Sequence, residues 1–350
     1  MRAIRLTAPG RDPALDHVPV PIPGPDEVRV AVRSCGLCGS DLKIIAGDTR
    51  AAELPLTLGH EAAGIVDEVG AEVRNVAVGD RVVVDPMFGC GACRSCCSGH
   101  ANRCPQLRVL GLGAPGAHAD HTVAPSANVH ALPDRIDLRL GAILADAVAG
   151  PLHALERSGA ARGDAVVVYG LGGLGLHAAM LLDQLTGAHV IGVDTSDAAL
   201  ARAGRFGVAE VFDGRDPRVV ERVRAATDGG ASAAFEFVGS PPVVEQALRS
   251  LAPGGTGVVV GVSSDRLHLG LRQETLVGRE LQLIGSLGYR PEHLKRLIEL
   301  IDSEALSIDG TITHVFPLEG YADALAALRD RSSGAIRVVV DVASESGGSA

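Results

Sequence analysis

Cys90, Cys93, Cys96 and Cys104 fall in a C-x2-C-x2-C-x7-C spacing within a segment rich in Gly and Ser. Four thiolates on so short a loop supply the donors of a closed tetrahedral zinc site, so the spacing predicts a structural zinc. An iron–sulfur centre also takes four cysteines, but the rest of the chain offers it no electron-transfer role. Cys97 lies outside the spacing and reads as a bystander thiol. A second pattern is Gly170-Leu171-Gly172-Gly173-Leu174-Gly175, which follows the apolar run Ala165 to Tyr169 and opens a helical pattern from Leu176 to Leu185. Glycines at those places permit a tight turn and close approach of backbone to a pyrophosphate, while the helix start offers unpaired N–H groups. Asp194 follows at about the ~20 residues expected of a carboxylate that accepts the adenosine 2′-hydroxyl; it repels a 2′-phosphate, so NAD is expected over NADP. The third group is scattered: Cys38, the pair His60-Glu61, and Asp146. A thiolate, an imidazole and a carboxylate leave a fourth zinc position open, the arrangement of a catalytic metal. Sequence spacing alone does not assemble them, and taken singly Cys38 reads as a buried small hydrophobe.

The elements that must position these residues change character along the chain. From Arg2 to about Ala145 short strands alternate with turns: Glu27 to Val32, Gly64 to Val69 and Asp80 to Val84 are the clearest runs, and Pro19, Pro21, Pro23 and Pro25 punctuate the start. An apolar helical stretch from Ala142 to Ser158 then leads into the strand Ala165 to Tyr169. Strand and helix alternate afterwards: Val190 to Val193, a helix Ala198 to Phe206, Ala234 to Val238, a helix Val243 to Ser250, and Gly257 to Val262. That alternation predicts a parallel sheet covered by helices. A strand at Leu281 to Ile284, a helix at Pro291 to Ile301 and a strand at Ile336 to Val342 close the pattern; Ser344 to Ala350 reads as a disordered Gly/Ser tail.

At 350 residues, two domains are expected. A formal charge of −10 argues against nucleic acid as a partner, which demands a basic surface. The first residues lack a secretory profile, and the apolar runs Ala165 to Tyr169 and Gly257 to Val262 fall far short of the ~20 residues of a membrane helix, so a cytoplasmic enzyme with no membrane partner is expected. Seven cysteines, an odd number, suit thiolate chemistry better than a disulfide framework. Of the few lysines, only Lys43 and Lys295, the first falls close to Cys38.

Together these residues resemble the zinc-containing medium-chain alcohol dehydrogenase family over essentially the whole chain. The resemblance rests on Cys38-Gly-Ser40-Asp41, Gly59-His60-Glu61-x-x-Gly64, the four-cysteine loop, Asp146 with His153 seven residues later, and Gly170 to Gly175 with Asp194. It implies an α/β fold: a GroES-like, β-rich catalytic domain at 1–147, a Rossmann NAD-binding domain with a doubly wound parallel sheet at 148–287, and a completing part of the catalytic domain at 288–350. It implies a catalytic zinc on Cys38, His60 and Asp146, with Glu61 adjacent and able to ligate during exchange, a second zinc on the four-cysteine loop, and a homodimer or homotetramer.

The activity implied is reversible hydride transfer between NAD and an alcohol or carbonyl substrate, with Ser40 at the family's proton-relay hydroxyl. Two departures are visible. Lys43 stands where relatives often end the relay with histidine, and is expected to contact the cofactor ribose or pyrophosphate instead; Ala199 replaces a lysine that relatives often place near the adenosine. Serine at position 40 leaves room for secondary or cyclic alcohols, with polyols and sugar derivatives also compatible. The rivals are a zinc-free, NADPH-linked quinone or enoyl reductase of the same superfamily and a non-enzymatic zinc and dinucleotide sensor.

Overall fold

The computed structural model describes residues 1–49, 51, 53–330 and 332–342. The tail expectation for Ser344 to Ala350 lies outside these residues. The chain divides into two compact units: Met1–Ala149 with the segment from Arg290 onward, and Gly150–Tyr289.

The first unit is built on a seven-stranded sheet with the order Val129–Ala131, Arg81–Val84, Glu61–Val69, Glu27–Leu37, Arg337–Asp341 and Ile312–Pro317; His121–Pro125 also pairs with Glu27–Leu37. Alternation of buried and exposed residues in Glu27–Val32 sets the inward face, and beyond Arg33 the strand is buried on both sides. Val28, Val30, Val32, Val66, Val82, Val84, Val338 and Val340 belong to one core. This strand runs farther than its sequence pattern suggested, to Leu37, because Arg337–Asp341 pairs with its second half and Glu61–Val69 with its whole length. Arg337–Asp341, nearly three hundred residues away in sequence, thereby completes the sheet that carries Cys38. A separate pair, Met87–Phe88 with Arg108–Val109, clamps the base of the cysteine loop.

The second unit is a six-stranded parallel sheet: Glu210–Asp213, His189–Asp194, Ala165–Tyr169, Ala231–Glu236, Leu251–Val259 and Gln282–Gly285, in that spatial order. Order reverses between His189–Asp194 and Ala231–Glu236, on either side of Ala165–Tyr169, and such a switch point is where open α/β sheets take ligands. The doubly wound expectation is therefore met, with shifts at the ends. The strand expected at Ala234 to Val238 runs from Ala231 to Glu236, because the N–H groups of Val238 and Gly239 turn away from the ladder to the Glu236 carboxylate. The strand Glu210–Asp213, absent from the sequence reading, is edge-placed and only four residues long, with Phe212 its one buried side chain, so its apolar signature is too short to read.

The helix expected from Ala142 begins earlier, at Leu138, where Asp137 caps it by accepting the Arg139 N–H at 2.8 Å. It continues to Ser158 with a π-type turn at Leu144–Val148. By length and composition alone this run, Leu138–Ser158, could cross a membrane, but 78% of its apolar window is buried inside the protein, as in a core helix.

Candidate metal centre and dinucleotide loop

Cys38 ends the central strand and starts the helix Gly39–Ala46. Asp41, three residues on, closes the turn by accepting the Cys38 N–H at 2.9 Å. His60 directly precedes the strand Glu61–Val69, which pairs with the strand of Cys38. Asp146 lies in the π-type turn, an irregularity that often marks a functional position in a helix.

These three turns bring their side chains to one place. Cys38 Sγ lies 3.4 Å from Asp146 Oδ2, and His60 Nε2 lies 3.6 Å from the same oxygen. The candidate donor atoms of Cys38, His60, Glu61 and Asp146 are all within 4.8 Å of one another. Tetrahedral zinc with bonds of ~2.3 Å to sulfur and ~2.0 Å to nitrogen or oxygen holds its donors about 3.3–3.5 Å apart, so the spacing fits that ion. Cys38 and His60 are buried while Asp146 is partly exposed, which leaves one side accessible. Ser40 Oγ is exposed and lies 3.7 Å from Cys38 Sγ. Lys43 is half-buried in the last turn of the same helix.

Glu61 and Arg337 were not linked in the sequence. Both are buried, and the Arg337 guanidinium donates to both oxygens of Glu61. Burial pushes the Glu61 carboxyl up to about 7 against the opposing pull of Arg337. Burial also works to raise the Asp146 carboxyl, but His60 and Arg337 outweigh it and bring it down to about 2. Gly36, paired across the sheet with Glu61, leaves the space that the Glu61 carboxylate fills. Sequence reading gave Asp41 no separate role, although its place in the Cys38 motif was a signal; Arg337 offered none.

Cys90, Cys93, Cys96 and Cys104 form a second cluster, with donor atoms likewise within 4.8 Å. Cys93 Sγ and Cys104 Sγ are 3.8 Å apart, matching the about 3.8 Å between thiolates on tetrahedral zinc. Backbone N–H groups of Cys90, Cys93, Cys96 and Gln106 point at its sulfurs at 3.3–3.5 Å, which suits thiolate charge. Cys97 is turned away toward the carbonyls of Gly91 and Ala92.

In the second unit, Gly170 takes φ +90°, the left-handed conformation that favours glycine. A Cβ on Gly175 would collide with the Gly170 carbonyl, whereas one on Gly172 would meet nothing within 4 Å. Gly175 is thus needed for packing, while Gly172 keeps the start of the helix Gly173–Leu181 open to a ligand. Asp194 Oδ2 accepts the Leu171 N–H at 2.6 Å, and Oδ1 accepts the Ser196 N–H at 2.8 Å. The carboxylate therefore shapes the loop and keeps lone pairs for a further donor. Ala199 and His153 are both buried, 4% and 3% exposed.

Comparison with known families matches residues 24–134 to the alcohol dehydrogenase GroES-like domain and residues 173–303 to the zinc-binding dehydrogenase domain. The D-arabitol-phosphate dehydrogenase of Enterococcus avium is 30% identical over 347 residues, covering 97% of each chain. The solved structure of a short chain alcohol dehydrogenase from E. coli CFT073, complexed with NADH, superposes with a TM-score of 0.91 at 26% identity, covering 98% of this chain and 99% of that one. A zinc-binding dehydrogenase from Sinorhizobium meliloti 1021, bound to NADP, gives 0.90 at 31% identity, covering 97% and 99%.

Proposed function

The chain belongs to the zinc-type medium-chain alcohol dehydrogenase family, and on that premise we propose that it is an NAD-linked, zinc-dependent dehydrogenase of secondary or polyhydroxylated alcohols. The observation that carries this reading is the convergence of Cys38 Sγ and His60 Nε2 on Asp146 Oδ2, at 3.4 and 3.6 Å.

Cys38, His60 and Asp146 would hold the catalytic zinc, and Cys90, Cys93, Cys96 and Cys104 a structural one. When bound, zinc supplies Lewis-acid polarisation of the substrate oxygen, and the nicotinamide supplies the hydride acceptor. Ser40 Oγ, exposed beside Cys38, takes the alcohol proton and passes it outward. The small size of its side chain supports a branched or cyclic carbon over a primary one. The polyol reading is supported by the D-arabitol-phosphate dehydrogenase among the relatives. Glu61, tied to Arg337, places a second negative charge behind the donor set. Gly172 opens the helix start to a pyrophosphate, and Asp194 offers acceptors for a 2′-hydroxyl, which supports NAD although one structural relative holds NADP. Lys43 is read as a contact to the cofactor, and the edge strand Gln282–Gly285 supports assembly into a homodimer or homotetramer.

Zinc-loaded protein is screened with NAD and with NADP against primary, secondary, cyclic and polyhydroxylated alcohols. Highest kcat/KM with NAD and a secondary or polyhydroxylated alcohol is expected. Equal turnover after removal of all zinc would overturn the reading.

A further inference from the structure

The two ring nitrogens of His60 face two carboxylates. Nε2 faces Asp146, and Nδ1 lies 3.8 Å from Asp41 Oδ1, too far for a direct hydrogen bond. Asp41 is fully buried, and its other oxygen is held by the Cys38 N–H. Oδ1 has no hydrogen-bond partner among the described residues. The same is true of both ring nitrogens of His118 and of the Tyr321 hydroxyl, all buried.

His118 and Tyr321 pack edge to face, with ring centroids 5.0 Å apart and planes at 66°. Gly59, the neighbour of His60, backs directly onto His118: it takes φ +96°, and a Cβ there would come within 2.7 Å of the His118 ring. Burial pushes the His118 imidazolium down to about 4 and the Tyr321 phenol up, and in each case the largest influence of a charge is that of Asp41. His118 is therefore neutral, with one N–H to give and one lone pair to fill.

A buried polar atom without a partner costs about 1–3 kcal/mol, and folded proteins avoid that cost by enclosing ordered water with two to four polar contacts. We propose that Asp41, His118 and Tyr321 enclose an ordered water that bridges Asp41 Oδ1 to both rings, making His118 and Tyr321 positioning residues that act on His60 through Asp41. The water donates to Asp41 Oδ1 and to the bare nitrogen of His118, and accepts the Tyr321 O–H. Held from behind, the Asp41 carboxylate stays facing His60 Nδ1, which fixes the tautomer and leaves Nε2 on the side of Cys38 and Asp146. Outer partners of a ligating histidine commonly change metal affinity by about 10–100-fold.

This inference rests on the zinc reading, so the experiment begins by counting zinc in the wild-type protein and in Cys38→Ser. A wild type that holds metal only on the four-cysteine loop overturns the functional reading and this inference with it. With both metals present, release to a chromogenic chelator is timed for wild type, Tyr321→Phe, His118→Phe and His118→Gln, and visible absorption is recorded after cobalt exchange. Both Phe variants are expected to release the Cys38-site metal about 10–100-fold faster and to shift the cobalt bands. His118→Gln is expected to restore much of the wild-type rate, and metal on the cysteine loop serves as the internal control. Tyr321→Phe removes a single oxygen and keeps the packing, so it remains informative if His118→Phe fails to fold. Unchanged release and cobalt spectrum in Tyr321→Phe, or a wild-type crystal structure without water between the three side chains, would overturn the inference alone.

Discussion

Arg337 and Glu61, 276 positions apart in the chain, form a buried ion pair in which one guanidinium nitrogen donates to both carboxylate oxygens. Their side chains are 3% and 0% exposed. Removing one member of such a pair strands the other charge in a low-dielectric interior. Arg337→Met is therefore expected to lower the free energy of unfolding by about 3–5 kcal/mol in denaturant titration. A loss under about 1 kcal/mol, the range of exposed pairs, would mean that the pair is solvated in solution.

Metal counting separates the two donor clusters. Wild-type protein is expected to carry two zincs, Cys38→Ser one and Cys96→Ser one. Cys38→Ser keeps its Tm nearly unchanged while turnover disappears. Cys96→Ser is expected to lose Tm instead, because a metal held there would close the loop between Met87–Phe88 and Arg108–Val109. Equal metal content in all three proteins would refute both ligand assignments.

Two glycines of one loop have opposite sensitivities. Gly175→Ala places a methyl on the Gly170 carbonyl and is expected to reduce both Tm and NADH affinity. Gly172→Ala meets no neighbour within 4 Å, so Tm holds while NADH affinity, read by fluorescence titration, falls at least tenfold. If Gly172→Ala bound NADH normally, the pyrophosphate would not lie against that backbone.

His130 gives a pH signature that does not involve the metal residues. Burial, with a smaller push from Lys295, lowers its imidazolium from 6.5 to about 4. The unfolded chain protonates near 6.5 and the folded one does not, so stability is full above that pH and is lost as pH falls toward 4. The loss from this residue is roughly 3 kcal/mol. His130→Phe should flatten Tm between those pH values, and an unaltered slope would place the dependence elsewhere.

Much of the placement of the local motifs is legible in the sequence. The four cysteines and the Gly170 to Gly175 loop are local patterns, in which a few consecutive residues carry the donors or the turn, and both appear in the structure where their spacing put them. Strand and helix alternation after Gly150 likewise follows from short-range hydrophobic period, which is why the parallel sheet could be anticipated while the half-exposed strand Glu210–Asp213 could not. Strand ends were misjudged where side chains capture backbone donors, as Glu236 does with Val238 and Gly239.

By itself the sequence determined which residue types were available: two sets of candidate metal donors, a glycine-rich turn opening a helix and an acid at the end of the next strand. Only tertiary structure decided which of the distant groups meet. Cys38 and His60 are brought to 3.4 and 3.6 Å from the Asp146 carboxylate by a strand end, a turn and a π-type turn, while Arg337 reaches Glu61 because its strand pairs with the strand that leads to Cys38. Spacing along a chain constrains contacts only over a few residues, whereas sheet pairing and core packing select partners hundreds of residues apart.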